Sequence, residues 1–334
     1  MKGRSRTGRL WPWLGLVAFG VLGLWCSVRW GTVEMDAESF RAGLWSKGGA
    51  ESKIVWGLRI PRSVMGFGAG AALGVAGLLM QTLFRNPLAG PSVLGITSGA
   101  SLGVAWATLG AGALGAGAGL WGAEVGGAAL GSFAVLGILM ALMAKFNSRS
   151  GLLVFGLMLG YLAGALVTVM QAQATAGALR AFVFWGMGSF ADAGLGAALV
   201  TIALAAVAIA TTWRFRRSLD VWTLGSSQAQ SMGVDPRKTS RMLVIGSGIL
   251  AAWTTAWCGP VAFLGLATPH GVRALMRSSR HGDIALACGL GGGALAVWAD
   301  WLAHLAGLPL NAVLSIVGAP VVIAVILSKI SRNV

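Results

Sequence analysis

Charge is the scarcest property of this sequence. Of its 334 residues only 10% are charged and 56% are apolar, and the mean hydropathy is +0.77. Because soluble globular domains carry about 25% charged residues, this composition excludes a water-soluble fold and predicts a membrane protein with several spans. The long apolar run over residues 195–213 also lacks the alternation of a barrel strand. We therefore expect an all-α, polytopic fold rather than a β-barrel.

Acidic residues are few, since ten Asp and Glu stand against 25 Lys and Arg and give a formal net charge of +15. In a soluble protein such an excess would suggest a nucleic-acid partner, but in a membrane protein it reports how loops are sorted between the two sides. With the N-terminus in the cytoplasm, most basic residues fall on the cytoplasmic side, as the positive-inside rule requires. We expect membrane lipid, and no nucleic acid, around this chain.

Cysteine is rare, and the phosphate-binding loop motif is missing from the sequence. Cys26, Cys258 and Cys288 lie in apolar stretches without C-x-x-C spacing, so neither a metal site nor a disulfide framework is predicted. No segment matches G-x-x-x-x-G-K-[ST], so the chain cannot bind ATP by that motif. We expect no metal and no cofactor in this chain.

The apolar runs predict about ten transmembrane helices in one domain over residues 1–334. Each span needs about 20 apolar residues to cross the hydrocarbon core, and an even number of spans leaves both termini in the cytoplasm. Residues 31–61 are expected to form an outside loop, and residues 172–190 a short amphipathic helix on the same side. The predicted spans are 10–30, 63–83, 93–110, 122–144, 151–171, 194–213, 242–259, 261–277, 283–305 and 312–328.

One polar segment, residues 214–241, interrupts the apolar chain and carries six of its basic residues. Its pattern predicts a short helix, then Gly225, then a second short helix that contains Ala229 and Met232 and ends at Gly233 and Pro236. The apolar side chains of this polar segment are too few to form a core of their own. A protein partner that covers them is therefore favoured over a solvated loop.

The stretch between Gln81 and Gly95 contains two prolines, Pro87 and Pro91. Proline lacks the backbone N–H and breaks a helix, so the freed backbone groups must find water or protein partners. Such a break usually lines a cavity or a bend, and it is also compatible with a simple cytoplasmic turn.

Two intramembrane polar positions are predicted, at His270 and Asp300. His270 follows a proline near a basic loop, where histidine is more often a capping or packing residue than a proton shuttle. Asp300 lies inside a predicted span, with His304 one helical turn later on the same face. Because a carboxylate is expensive in the bilayer, Asp300 should contact a partner or water, either in a structural hydrogen bond or in transport chemistry.

Together these stretches resemble the FecCD family of ABC importer permeases, which carry ferric siderophores, haem or cobalamin. The resemblance extends from about residue 55 to residue 330, and no single motif carries it. The matching positions are Arg59-Ile-Pro-Arg62, Gly70–Gln81, Phe84–Pro91, Leu94-Gly95, Ser98–Ala100, Leu224-Gly225, Ala229, Met232–Val234, Gly259-Pro260, Phe263–Leu266, Pro269-His270 and Gly318–Pro320.

The resemblance implies a cobalamin-importer-permease-like fold and an assembly in a bacterial plasma (inner) membrane. In that assembly two copies of the chain form a homodimer around a central path. Two ATP-binding subunits, which hold ATP and Mg²⁺, lie beneath it, and an extracytoplasmic substrate-binding protein docks above. Transport of an iron chelate (siderophore), haem or cobalamin would proceed by alternating access, and the chain itself would not be an enzyme.

The family's functional positions can be carried over residue by residue. The resemblance implies docking of the binding protein at Arg59, Arg62 and His304, and it makes the polar segment the cytoplasmic coupling segment. The translocation path would narrow at Asn86, Leu88, Ser148 and Ser150. The ATPase would contact Leu224, Gly225, Ala229, Met232 and Gly233.

The sequence departs from the family pattern at two of these sites. His304 stands where the family often has arginine, which implies a weaker or pH-dependent docking contact. Ser226 and Ser227 stand where acidic residues are common, so the partner ATPase need not present the usual complementary bases.

Two other function classes compete with an ATP-driven permease. A proton-coupled secondary transporter would use Asp300, His304 and His270 and would need no partner, but such carriers usually have more titratable groups along their path. A structural membrane scaffold would explain neither the break after Gln81 nor the polar segment. The sequence favours the importer permease.

Overall fold

The computed structural model describes residues 6–31, 33–45, 48–110, 121–145 and 149–330. Within these ranges the regular structure is helical throughout, so the all-α prediction is confirmed. The α-helices are α1 (Arg6–Arg29), α2 (Ala37–Trp45), α3 (Ala50–Ile54), α4 (Ile60–Phe84), α5 (Ile96–Ala105), α6 (Trp121–Leu142), α7 (Arg149–Ala172), α8 (Ala176–Gly186), α9 (Leu195–Arg214), α10 (Arg216–Trp222), α11 (Ser226–Ser231), α12 (Pro236–Cys258), α13 (Leu264–Met276), α14 (His281–Ala306) and α15 (Leu310–Ile330).

Six stretches of helix in the described part of the chain are long and apolar enough to cross a membrane. They are Leu10–Arg29, Ala50–Phe84, Gly122–Leu142, Ser150–Ala172, Leu195–Arg214 and His281–Ala306. The other predicted spans fall on α5, α12, α13 and α15. Helices α5 and α13 have only 10 and 13 residues, so the count of ten spans stays a prediction.

The spanning helices differ in how much of their surface the chain itself covers. In the most apolar stretch of Ala50–Phe84 89% of the residues are buried, whereas the corresponding share is only 22% in Ser150–Ala172 and in Leu195–Arg214. Apolar side chains on these last two helices are strongly exposed, for example Tyr161 at 71% and Val207 at 63%. Exposed apolar surface of this extent is typical of a face that meets lipid or another protein.

The beginning of the second spanning helix differs from the prediction. We expected this helix to begin at residue 63, after an Arg-x-Pro-Arg loop, but the helical segment is continuous over Ala50–Phe84. A π-helical turn at Val55–Arg59 joins α3 to α4, and Pro61 then occupies the first turn of α4. Proline lacks the backbone N–H that the interior of an α-helix needs, and the π-helical turn just before Pro61 is where the regular hydrogen-bond pattern changes. Because the helical segment is continuous, Arg59 and Arg62 both lie inside it.

The break after Gln81 and the short helix predicted within residues 172–190 are both present, and the outside location of this helix stays a prediction. Helix α4 ends at Phe84, Arg85 follows with φ 48°, and Pro91 opens a 3₁₀ turn before α5 begins at Ile96. In the predicted amphipathic region the structure has α8, and the hydroxyl of Thr175 accepts a hydrogen bond from the backbone N–H of Ala178 at the N-cap.

Contacts between Cα atoms divide the chain into two compact units. The first contains Met1–Leu78, Phe190–Asp220 and Ala262–Val334, and the second contains Leu79–Ser189 and Val221–Val261. In the first unit, a Cβ on Gly74 would lie 2.6 Å from the carbonyl oxygen of Cys288. In the second, a Cβ on Gly99 would lie 2.6 Å from the carbonyl oxygen of Gly131. Glycine at these positions lets helix backbones touch, as is common in membrane bundles.

Candidate functional site

Asp300, the carboxylate inside α14, is held by an arginine from α4. The Nε of Arg62 donates to Oδ2 of Asp300 at 2.8 Å, and Nη2 donates to Oδ1 at 2.9 Å. Asp300 is 4% exposed, so its charge is buried. A bidentate arginine is the strongest partner that a side chain can offer to a carboxylate. Of the two contacts predicted for Asp300, a partner or water, the structure shows a partner, and it is Arg62.

His304 lies one helical turn after Asp300, and its ring contacts Arg62, so Arg62, Asp300 and His304 form one cluster. Its Nδ1 lies 3.4 Å from Nη1 of Arg62. A guanidinium group has only donors, so Nδ1 is the acceptor and the hydrogen of the neutral ring is on Nε2. That Nε2 is buried and has no hydrogen-bond partner among the described residues. The cluster thus contains a donor that is not yet satisfied.

Arg59 performs a different task from Arg62, although both belong to the same motif. It is 7% exposed, and its Nη1 donates to the carbonyl oxygens of Val28 at 3.0 Å and Arg29 at 2.8 Å. Its Nη2 donates to the carbonyl oxygen of Val33. The last carbonyls of a helix lack intrahelical partners and carry partial negative charge, so this guanidinium stabilises the end of α1.

A cavity of about 170 Å³ opens beside this cluster. Trp30 and Trp301 contribute aromatic surface to its lining, and Arg59, Arg62 and His304 contribute hydrogen-bond donors. The indole Nε1 of Trp301 is also buried without a partner in the part of the chain that the structure describes. A lining rich in donors suits a ligand group with acceptor atoms, such as a carboxylate.

The polar segment has three exposed large apolar side chains, Phe215 near its start and Leu224 and Met232 just after its two short helices. Leu224 is 59% exposed and Met232 is 61% exposed, whereas Ala229 is fully buried on the other side of α11. Gly225 has a φ of 133° and Gly233 a φ of 83°, backbone values that residues other than glycine rarely adopt. Exposed apolar residues on a polar surface are typical of a site that a protein partner covers.

The predicted end of the second short helix needs two corrections. Helix α11 ends at Ser231, so Met232 follows the helix instead of lying in it. Pro236 does not stop a helix either, because it opens α12. Asp235 caps that helix by accepting hydrogen bonds from the backbone N–H groups of Arg237 and Lys238, and proline is favoured in the first turn of a capped helix.

Three of the four residues predicted to narrow the path lie in the described part of the chain, in the loop after α4 and at the start of α7. Asn86 accepts a hydrogen bond from the backbone N–H of Leu88 at 2.9 Å, which folds the loop after α4, and Leu88 is 42% exposed. Ser150 is exposed in the first turn of α7. Ser148 lies outside the described residues. The role of these four residues stays a prediction.

His270 is separate from the cluster that contains the other two titratable candidates. It is 8% exposed within α13, directly after Pro269, and it does not line the cavity beside Asp300 and His304. The structure thus brings together two of the three residues that a proton-coupled carrier would need, and it places the third elsewhere.

One pair was missed by sequence reasoning. The backbone N–H of His281 donates to Oδ1 of Asp220 at 2.9 Å, and its ring Nδ1 lies 2.6 Å from the same oxygen. His281 is 2% exposed at the first residue of α14, and Asp220 belongs to the polar segment. The sequence shows an acid in a polar segment and a histidine before a span, but the 61 residues between them give no pairing signal.

The chain is similar to known transport proteins along most of its length. The profile of the FecCD transport family matches residues 19–328. The vitamin B12 import system permease protein BtuC of Klebsiella pneumoniae subsp. pneumoniae is 34% identical over 287 residues, which cover 84% of each chain. The corresponding protein of Photorhabdus laumondii subsp. laumondii is 34% identical over 281 residues, which cover 82% of each chain.

Solved structures show a similar fold. A chain described as an inward-facing conformation of a transporter assigned to the metal-chelate ABC type superposes with a TM-score of 0.81, at 24% identity, over 95% of this chain and 98% of that chain. PsaBC from Streptococcus pneumoniae gives a TM-score of 0.57 at 14% identity, over 86% and 94% of the two chains. Because the family match reaches from residue 19 to residue 328 and the relatives align along most of their length, this chain belongs to the FecCD transport family of ABC transporter permeases.

Proposed function

We propose that this permease moves an iron chelate, haem or cobalamin into the cytoplasm by alternating access, driven by ATP hydrolysis on a partner subunit. The observation that carries the proposal is the 34% identity to vitamin B12 import permeases over 84% of both chains. Cobalamin is the first compound to test, because these relatives are named for it. The metal-chelate neighbour is only 24% identical, so it supports the fold and not the substrate.

The proposed assembly is a homodimer in the bacterial inner membrane, with both termini in the cytoplasm. The polar segment would then face two cytoplasmic ATP-binding subunits, which hold ATP and Mg²⁺. Exposed Leu224 and Met232 support this contact, since an apolar tip on a basic surface fits a groove in a protein partner. Movement of the ATPases would shift an equilibrium between outward-open and inward-open states.

The substrate-binding protein would dock on the extracytoplasmic side of the permease. Arg62 and His304 lie beside the cavity, where the Nε2 of His304 and the Nε1 of Trp301 have no hydrogen-bond partner among the described residues. A carboxylate from the binding protein would satisfy these donors. Arg59 would act indirectly, because its guanidinium is bonded to carbonyls at the end of α1 and would have to release them to meet an outside acid.

No observation favours the proton-coupled carrier as a second function. Both carboxylate oxygens of Asp300 are already engaged by Arg62 in a bidentate ion pair. His270 does not line the cavity that contains Asp300.

The decisive experiment is uptake by vesicles that contain this chain, its ATPase and its binding protein. We expect uptake of cobalamin, an iron chelate or haem only when ATP and both partners are present. An imposed proton gradient without ATP serves as the control. Uptake driven by the proton gradient, with the chain alone, would overturn the proposal and turn attention to Asp300.

A further inference from the structure

The first turn of α14 is tied to the polar segment by a single carboxylate oxygen. Oδ1 of Asp220 accepts the backbone N–H of His281 at 2.9 Å and contacts the ring Nδ1 at 2.6 Å. Since an ionised carboxylate can only accept, the ring hydrogen of His281 is on Nδ1. The side chain of His281 is 2% exposed and that of Asp220 is 36% exposed, so the pair is buried on the histidine side and reaches solvent on the carboxylate side.

Asp220 also replaces a missing helix cap. The residue at the N-cap of α14, Arg280, makes no side-chain capping bond. The first four N–H groups of a helix lack partners, and its N-terminus favours negative charge. The carboxylate that meets both needs at His281 comes from α10, 61 residues earlier in the chain. If α10 moved away, α14 would lose this cap.

Packing around the pair reinforces the link between α10 and α14. A Cβ on Gly282 would lie 2.7 Å from Cδ of Arg216, so glycine at this position admits a side chain of α10. Two turns further along α14, a Cβ on Gly289 would lie 2.6 Å from Cδ1 of Ile209. The beginning of α14 therefore rests on α9 and α10 over several residues, with Asp220 as its charged contact.

The other end of α14 holds the Arg62–Asp300 ion pair. Residues 281 and 300 are about 28 Å apart along a helix that rises 1.5 Å per residue. One continuous helix thus has a partly buried, charge-assisted contact near each end. A helix of this length transmits a displacement as a rigid body more readily than a loop does.

We propose that Asp220 is a positioning residue that couples the polar segment to α14, so that a displacement imposed by the ATPase reaches the cavity at Arg62, Asp300 and His304. This inference rests on the proposed function. Nucleotide on the ATPase would change the affinity of the permease for the binding protein, and this change is a coupling free energy. Its size would depend on the Asp220–His281 contact.

The test measures binding-protein affinity with and without a non-hydrolysable ATP analogue, using the full permease assembled with its ATPase in lipid nanodiscs. In the unsubstituted complex we expect nucleotide to change the Kd by a factor between about 5 and about 150, the range typical of such coupling. Asp220→Ala should lower that factor at least about fivefold, toward one. Asp220→Asn keeps an acceptor oxygen and should retain most of it.

A matched control comes from the same turn of α14. Asp283 is another carboxylate near this N-terminus, but it accepts a local hydrogen bond from the hydroxyl of Ser278 at 2.8 Å. Asp283→Ala should therefore weaken the helix start and keep the nucleotide-dependent factor. If Asp220→Ala does not assemble, His281→Phe keeps the ring volume and the backbone N–H but loses Nδ1, and it should lower the same factor.

Three results would contradict these expectations, and they distinguish failure of the coupling role from failure of the importer proposal. A full nucleotide effect in Asp220→Ala, or in His281→Phe where that variant is needed, would overturn the coupling role of Asp220 and leave the importer intact. A complex without substitutions that ignores nucleotide would overturn the importer proposal, and with it this inference. A smaller factor in Asp283→Ala than in Asp220→Ala would show a general stability effect and would also overturn the coupling role.

Discussion

Among individual residues, we expect the Arg62–Asp300 ion pair to be the most costly to break in free energy of unfolding. Asp300 is 4% exposed, and Arg62 meets both of its oxygens. Removing one partner of a buried pair leaves an uncompensated charge, whereas replacing both by apolar groups costs much less. Loss of Arg62 should therefore destabilise the fold more than loss of Asp300, because Arg62 is partly exposed and water can solvate its charge.

We expect Arg62→Ala to lower the free energy of unfolding by roughly 3–5 kcal/mol. The double variant Arg62→Met, Asp300→Leu should recover most of this loss, because no buried charge remains. Chemical unfolding of the purified permease in detergent measures both values. Arg180→Ala is the control, since this exposed arginine contacts only the ring of Phe184 at 5.4 Å in the interactions described, and its loss should cost about 0.5 kcal/mol or less. Equal destabilisation in the single and double variants would contradict the argument.

At the scale of elements, the polar segment contains two short helices, α10 and α11. The apolar side chains of this segment are too few to form a core of their own. Leu224 and Met232 are each about 60% exposed, while Ala229 and Leu219 are buried against the chain itself. The buried positions hold the segment in place, and the exposed positions are left for a partner. We infer that binding of the ATPase depends on the second set.

The double variant Leu224→Ser, Met232→Ser should weaken ATPase binding about tenfold or more, because each side chain would lose an apolar contact worth over 1 kcal/mol. Titration of the ATPase against immobilised permease gives this change directly. Leu308→Ser is matched to it, because Leu308 is 47% exposed in the loop after α14. ATPase affinity that is unaltered in the double variant, or equally reduced in Leu308→Ser, would contradict the role of the polar segment.

Over the whole molecule, the sequence patterns predicted the all-helical class, the short helix α8 and the break after Gln81, because local periodicity and proline chemistry decide these features. Besides the end of α11 and the beginning of α12, two features escaped prediction. The π-helical turn at Val55–Arg59 lets the second span begin earlier than its apolar run. The partners of Asp220, Arg59 and Asp300 lie 26 to 238 residues away, and no local pattern encodes such contacts. Local rules therefore gave the elements, and tertiary packing made the candidate site.

The identity of the ATPase is a property of the whole assembly, and the first turn of α11 bears on it. Ser226 and Ser227 are exposed at this helix N-terminus, at positions where acidic residues are common in the family. An ATPase built for acidic residues presents bases, and those bases would find no partner here. We therefore expect the ATPase of a vitamin B12 importer to support little uptake with this permease.

The double variant Ser226→Asp, Ser227→Glu should restore uptake with that foreign ATPase. Acidic residues in a first turn stabilise the helix dipole, so the change should not unfold α11. ATP-driven uptake in vesicles, compared between the cognate and the foreign ATPase, gives the result. Ser226→Asn, Ser227→Gln is the uncharged control, and it should restore nothing. Full uptake with the foreign ATPase and the unsubstituted permease would show that surface charge at α11 does not select the partner.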